Sequence, residues 1–214
     1  MAEVAVINRA SLSQQIRDTL LERIVSGSLK PGDRLIELKI ADEMQTSQAP
    51  VREALRELEA IGLIETQRNR GARVRVIDEA ELAEIYSVRA ELEALAGEIV
   101  ARDAPQTANS LEKILDRMRK AATRADEKKF AMLNSEFHST IVEASKNSTL
   151  REMWESLSVR SRTRLNMSRT AADLQLLAES HQAIIDAIAS GEPSQARDIS
   201  WRHVRDNAPS GSAQ

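Results

Sequence analysis

The chain contains no cysteine. That removes disulfides, zinc–thiolate sites and thiol nucleophiles, and it fits a reducing compartment. Only 7 glycines and 5 prolines interrupt 214 residues, a scarcity of breakers that favours helices. Aromatic residues make up 2% of the chain against 42% hydrophobic residues, so the core must rest mainly on Leu, Ile, Val and Ala. No apolar run approaches membrane-spanning length, and the N-terminus lacks the hydrophobic segment of a signal peptide. A soluble cytoplasmic protein is expected, of two modest domains or one large one.

A strong excess of either charge is also missing, the net charge being −3. Residues 1–76 nevertheless carry 12 Lys/Arg against 11 Asp/Glu, so the acidic surplus lies wholly in the remainder. Arg68, Arg70, Arg73 and Arg75 fall within eight residues that contain no acid. Basic charge is thus concentrated where a DNA backbone could meet it.

The most informative stretch runs from Thr46 to Leu63. Ser47 is a good N-cap, Pro50 falls in the first turn, where a missing N–H costs nothing, and Gly62 can close the helix. Val51, Ala54, Leu55, Leu58 and Ile61 form an apolar stripe. Gln48, Arg52 and Arg56 lie four apart and make one polar line on another face. Such a helix suits a DNA major groove, where arginine pairs bidentately with guanine. The alternative is a solvated face whose arginines are neutralised by Glu53, Glu57 and Glu59.

The neighbours bear on that choice. Residues 1–10 read as a flexible arm, in which Val4-Ala5-Val6-Ile7 could add a short strand. Ser11 and Gln14 have capping-box spacing ahead of a helix with Leu12, Ile16, Leu20 and Ile24 at steps of four. Lys30-Pro31-Gly32-Asp33 is a turn. A second helix over 37–44 should turn Leu38, Ala41 and Met44 inward. Gln45-Thr46 then leaves room only for a tight turn, which makes a helix-turn-helix. Residues 63–67 and 72–76 read as strands joined by Arg68-Asn69-Arg70-Gly71, a hairpin whose guanidinium groups could reach phosphates or a minor groove.

Pro31-Gly32-Asp33-Arg34-Leu35, Ile40-Ala41-Asp42-Glu43-Met44, Ser47 through Leu55, Gly62-Leu63-Ile64 and Asn69-Arg70-Gly71 together resemble the winged N-terminal domain of GntR-family bacterial transcription regulators. The likeness covers residues 11–76. It implies DNA contacts from Arg34, Ser47, Gln48, Arg52, Arg56, Arg68, Arg70 and Arg73. Many members place a basic residue where this chain has Gln48, and glutamine prefers adenine where arginine prefers guanine.

After a linker at 77–78 the pattern is helical to residue 207, in six segments over 79–103, 107–125, 127–146, 148–168, 171–190 and 194–207. The tail, 208–214, should be disordered. All three histidines lie here, and each shares a face with aliphatic side chains. His138 is followed by Ile141 and Val142, His181 by Ile184, Ile185 and Ile188, and His203 stands four after Ile199. Taken singly, each could be a satisfied core histidine. Three on separate helices, with Asn134 one turn before His138, also make a donor set of the kind bundles use for metals. Imidazoles with an oxygen donor suit Zn²⁺ or Ni²⁺.

Asn134-Ser135-Glu136-Phe137-His138, His181 and His203, with Arg89-Ala90-Glu91-Leu92-Glu93 on the first helix, resemble the helical ligand-binding (FCD) domain of the FadR-like GntR subgroup. Six helices sit closer to its VanR-type branch. The resemblance implies a metal held by one Asp and three His, here Asn134, His138, His181 and His203, and a small carboxylate effector. A carboxamide is the weaker and uncharged donor. Arg89 and Arg162 are candidates to pair the effector; the alternation of Arg160, Arg162 and Arg164 spreads them over different faces.

The expected protein is mainly α, a winged helix-turn-helix domain joined to an all-helical effector-binding and dimerisation domain. It should be a homodimeric repressor, not an enzyme, that binds a palindromic double-stranded operator and answers to a small carboxylate. Two alternatives stand beside it: a metal-dependent hydrolase, since three-histidine sites can activate water, and a ligand-free dimerisation module.

Overall fold

A computed structural model describes residues 11–67, 71–76, 78–157 and 173–208. The Val4–Ile7 stretch, Arg68, Arg70, Ile77 and Arg162 lie outside them. The chain forms two compact units, Met1–Ile77 and Asp78–Gln214.

In the first unit α1 (Leu12–Val25) begins with a complete capping box. Gln14 N–H donates to Ser11 Oγ at 3.2 Å, and Ser11 N–H donates to Gln14 Oε1 at 2.8 Å. Its residues Ile16, Leu20 and Ile24 are buried. Helix α2 (Glu37–Glu43) and helix α3 (Gln48–Ala60) follow, separated by a turn in which Gln45 takes a left-handed φ of 50°. Val51, Ala54, Leu55 and Leu58 of α3 are buried, while Ile61 is only half-buried. Leu38 does not turn inward; it is 64% exposed, and Ile40 and Ala41 fill the core instead. Over two helical turns a hydrophobic residue alone does not select the inward row, and packing against α3 does.

Three short strands complete this unit: β1 (Arg34–Leu35), β2 (Ile64–Gln67) and β3 (Gly71–Val74). The order is β1-β3-β2, all antiparallel, with Gln67 opposite Gly71 across the hairpin. Gly62 (φ 71°) and Gly71 (φ 77°) occupy the left-handed region, where a side chain would be strained. Strand β1 is too short to carry an alternation and had no signal in the sequence; it forms because the Pro31-Gly32-Asp33 turn delivers Arg34 opposite Arg73.

The second unit consists of α4 (Glu79–Asp103), a 3₁₀ turn (Pro105–Thr107), α5 (Ala108–Thr123), α6 (Glu127–Ala144), α7 (Ser148–Ser156), α8 (Leu174–Glu179), α9 (Gln182–Ala189) and α10 (Pro193–Asp206). Asp78, Asp126, Asn147 and Asp173 cap α4, α6, α7 and α8 through their side chains. The core is aliphatic, with Phe130 and Phe137 fully buried among Leu111, Leu115, Leu133 and Ile184. Gly97 lets α10 approach α4 closely: a Cβ there would lie 2.5 Å from Ser200 Oγ.

The described residues hold seven α-helices in this unit rather than six, because the expected 171–190 helix breaks at Ser180-His181. At the break His181 N–H bonds to Ala178 O, while the His181 ring and the Ser180 hydroxyl both reach Leu177 O, at 2.8 Å each. Side chains have taken the carbonyl that a continuous helix would have offered to the His181 backbone.

Candidate functional site

The break brings His181 to the other two histidines. His138 on α6, His181 between α8 and α9, and His203 on α10 are all buried, and one ligand atom from each lies within 4.8 Å of the others. Ring centroids are 5.3 Å apart for His138–His181 and for His138–His203, and 4.3 Å for His181–His203. Phe137 closes one side, edge-on to His138 and His181. Asn134 is buried one turn before His138 on the same helix.

Hydrogen bonds set which nitrogen each ring leaves free. His138 Nδ1 is 2.7 Å from Glu93 Oε2, and His181 Nδ1 is 2.8 Å from Leu177 O. His203 Nδ1 is 3.4 Å from Ser180 Oγ, whose own proton goes to Leu177 O. With each Nδ1 facing an acceptor, Nε2 is the nitrogen that each ring, in its neutral form, offers to a ligand. His181 Nε2 is buried and has no hydrogen-bond partner among the described residues. Burial, followed by the neighbouring His138, pushes the His181 pKa down to about 3. Burial, then His181 and His138, pushes that of His203 well below its ordinary value. Both rings are therefore neutral near pH 7 and offer a lone pair. A buried nitrogen without a partner, beside two more imidazoles, fits a borderline divalent metal.

Glu93 was not singled out as a site residue from the sequence, yet it organises this cluster. Its Oε1 accepts from Arg89 Nε at 2.6 Å and from Trp154 Nε1 at 2.8 Å, while Oε2 faces His138. Burial works to raise its pKa, but Arg89 and then His138 outweigh that and hold it well below the usual carboxylate range. The legible signal was the i,i+4 pair Arg89/Glu93 flanked by alanines, a charged pair on an apolar face. Arg89 is thus turned inward and engaged by Glu93. Arg162 lies outside the described residues.

In the first unit Gln48, Arg52 and Arg56 are exposed along α3. Ser47 holds the N-cap position, but its side chain makes no capping bond. The nearby acids are mostly committed elsewhere: Glu57 pairs with Arg17 at 2.7 Å, and Glu59 accepts from Thr66 N–H at 2.9 Å. Among the described residues only Glu53 reaches Arg56, at 3.6 Å, and Arg52 pairs with Glu37 of α2 instead. Arg34 is exposed on β1, directly opposite Arg73, whose Nη1 donates to Gly32 O. Arg34, Glu37, Arg52, Arg56 and Thr66 border a groove of about 440 Å³ between α3 and the sheet.

Residues 12–74 match the family described as "Bacterial regulatory proteins, gntR family", and residues 84–206 match the FCD domain. The "Probable D-xylose utilization operon transcriptional repressor" of Paenarthrobacter nicotinovorans is 35% identical over 198 residues, covering 92% of this chain and 88% of that protein. The "Gluconate operon transcriptional repressor" of Bacillus subtilis (strain 168) is 32% identical over 189 residues, covering 85% and 77%. Among solved structures, E. coli McbR/YncC superposes with a TM-score of 0.74 at 26% identity, covering 93% of this chain and 96% of that one. No helix among the described residues is long and apolar enough to cross a membrane. The chain belongs to the GntR family, in its FadR-like FCD subgroup: it is a DNA-binding transcriptional regulator, not an enzyme.

Proposed function

We propose that this regulator is a homodimeric repressor of a palindromic operator, and that its signal is a small carboxylate bound at a divalent metal in the helical domain. The observation that carries the signal half is the convergence of three imidazoles whose Nδ1 atoms are already engaged, with His181 Nε2 buried and, among the described residues, unpartnered. Zn²⁺ or Ni²⁺ suits His138, His181 and His203, with Asn134 as an oxygen donor. The bound ion would supply a Lewis acid with open positions for an anion. None of these four side chains neutralises a divalent charge, and the nearby Glu93 is balanced by Arg89. Relatives named for a gluconate operon support a hydroxy-acid signal.

The DNA half rests on the exposed Gln48–Arg52–Arg56 line, on Ser47 and on the Arg34–Arg73 pair. Directly opposed residues of an antiparallel pair share a face, and like charges there repel. A phosphate beside them relieves that repulsion. Arg68 and Arg70 lie outside the described residues, and the sequence alone offers them as further phosphate contacts. One winged domain reads few base pairs, so two related by a two-fold axis are needed. Release of the operator requires the effector to bind the DNA-competent and DNA-incompetent states with different affinity. The His181 break is the element on which it would pull.

Calorimetry on the chelator-stripped chain, before and after Zn²⁺ or Ni²⁺ is restored, tests the signal half with gluconate and D-xylose as probes. Gluconate should bind only the metal-loaded chain. Asn134→Asp should tighten metal and weaken gluconate, and His181→Ala should lose both while keeping DNA affinity. Equal gluconate affinity with and without metal overturns the metal bridge; binding of D-xylose alone overturns the carboxylate. A monomer by sedimentation at micromolar concentration, with and without DNA, overturns the dimer.

A further inference from the structure

Arg52 stands on the proposed recognition helix α3, and Glu37 holds it from a different helix. Glu37 is the first residue of α2, fifteen positions upstream, and its carboxylate grips one edge of the guanidinium. Arg52 Nε lies 3.3 and 3.2 Å from the two Glu37 oxygens, and Nη2 lies 2.9 Å from Oε2. A guanidinium has two such double-donor edges, Nε/Nη2 and Nη1/Nη2. Here the first is occupied, and no hydrogen bond engages Nη1 among the described residues. The second edge matches the paired O6 and N7 acceptors of guanine.

We propose that Glu37 is a positioning residue for base reading: it fixes Arg52 by its side edge so that the end edge is presented, already ordered, to a guanine. Fixing a long side chain before binding removes an ordering cost that every complex would otherwise carry. It also keeps Arg52 from swinging to the nearest phosphate, a contact that carries no sequence information. The proposal rests on α3 being the recognition helix. Its competitor is an electrostatic brake, in which the Glu37 carboxylate simply repels phosphates.

The two ideas differ in what a base-substitution panel reports. Duplexes enriched by the unmodified full chain from random-sequence DNA supply the probe, together with copies altered at each base pair. Binding is followed by fluorescence anisotropy at fixed salt for the wild type, Glu37→Ala, Glu37→Gln and Arg52→Ala. Positioning predicts that Glu37→Ala loses about tenfold discrimination at the one base pair per half-site where Arg52→Ala also loses it, and keeps it elsewhere. Glu37→Gln, which preserves the shape of the helix start, should fall between. If Glu37→Ala or Glu37→Gln keeps full discrimination at that pair and merely binds all duplexes more tightly, the brake is right and the proposal is overturned. If Arg52→Ala itself discriminates as the wild type does, the recognition-helix reading falls and takes the proposal with it. Thermal melts of each variant, matched to the wild type, exclude misfolding as the cause of any loss.

Discussion

Glu93 Oε2 stands 2.7 Å from Nδ1 of His138, joining the first helix of the FCD domain to the histidine cluster. The same carboxylate neutralises Arg89 and holds the Trp154 indole, so one side chain supports both the charge balance of the core and the orientation of the His138 ring.

Replacing it by its isostere separates those roles. Glu93→Gln keeps the volume but leaves Arg89 buried without its counter-charge, which should cost about 3–5 kcal/mol of stability. Metal affinity should fall roughly 10–100-fold through loss of the partner to His138. Urea denaturation and a competition titration against a chromophoric chelator measure the two effects. Metal affinity unchanged in a variant that still folds would remove Glu93 from any role at the site.

The metal-free protein should lose stability on mild acidification. His181 takes up a proton at about 6.5 in the unfolded chain but only at about 3 when folded. Between those values the unfolded state binds more protons, so stability falls as pH drops, by about 1.4 kcal/mol per unit for this histidine. His203, shifted in the same direction, adds to the slope. The loss begins near pH 6.5 and levels off near pH 3 for His181. The low folded pKa of Glu93 adds a loss at the acid end, below its unfolded value of 4.5. Denaturation midpoints across this range should show the slope shrink in His181→Ala; an identical slope contradicts the burial argument.

Arg52 and Arg73 should fail differently on DNA. Arg52→Ala should cost about 1–3 kcal/mol per half-site and relax sequence preference. Arg73→Ala, on the central strand β3, should weaken all sequences evenly and reduce the salt slope by about one unit. Salt-matched gel shifts distinguish the two patterns, and a wild-type shift for Arg52→Ala sinks the recognition-helix assignment.

Gly97→Ala tests the α4–α10 seam. Alanine favours the helix over glycine by about 1 kcal/mol, whereas overpacking costs about 1–3 kcal/mol. The added methyl would meet Ser200 Oγ at 2.5 Å, Ala196 O at 3.2 Å and Ser200 Cβ at 3.3 Å, and a backbone oxygen cannot rotate away. Net destabilisation is expected, partly relieved by Ser200→Ala, as read from melting temperatures. A more stable Gly97→Ala chain would show that the seam has slack.

The elements with local signals were legible along the chain. Ser11 and Gln14 start α1, Gly62 ends α3, and the apolar stripe of α3 sets its buried face, because capping and helical period act within a turn or two. The three histidines were legible one at a time, each on an apolar face. Partnership across distance came only with packing. Arg52 takes Glu37, fifteen residues away, rather than any of the acids on its own helix, and His138 takes Glu93 from another helix. Leu38 is left outside because α3 selects the inward row of α2, and the 171–190 helix breaks because the Ser180 and His181 side chains compete for Leu177 O. No local pattern encodes these outcomes: each depends on which groups packing brings within a few ångströms and shields from water, where an unpaired charge or polar atom is costly.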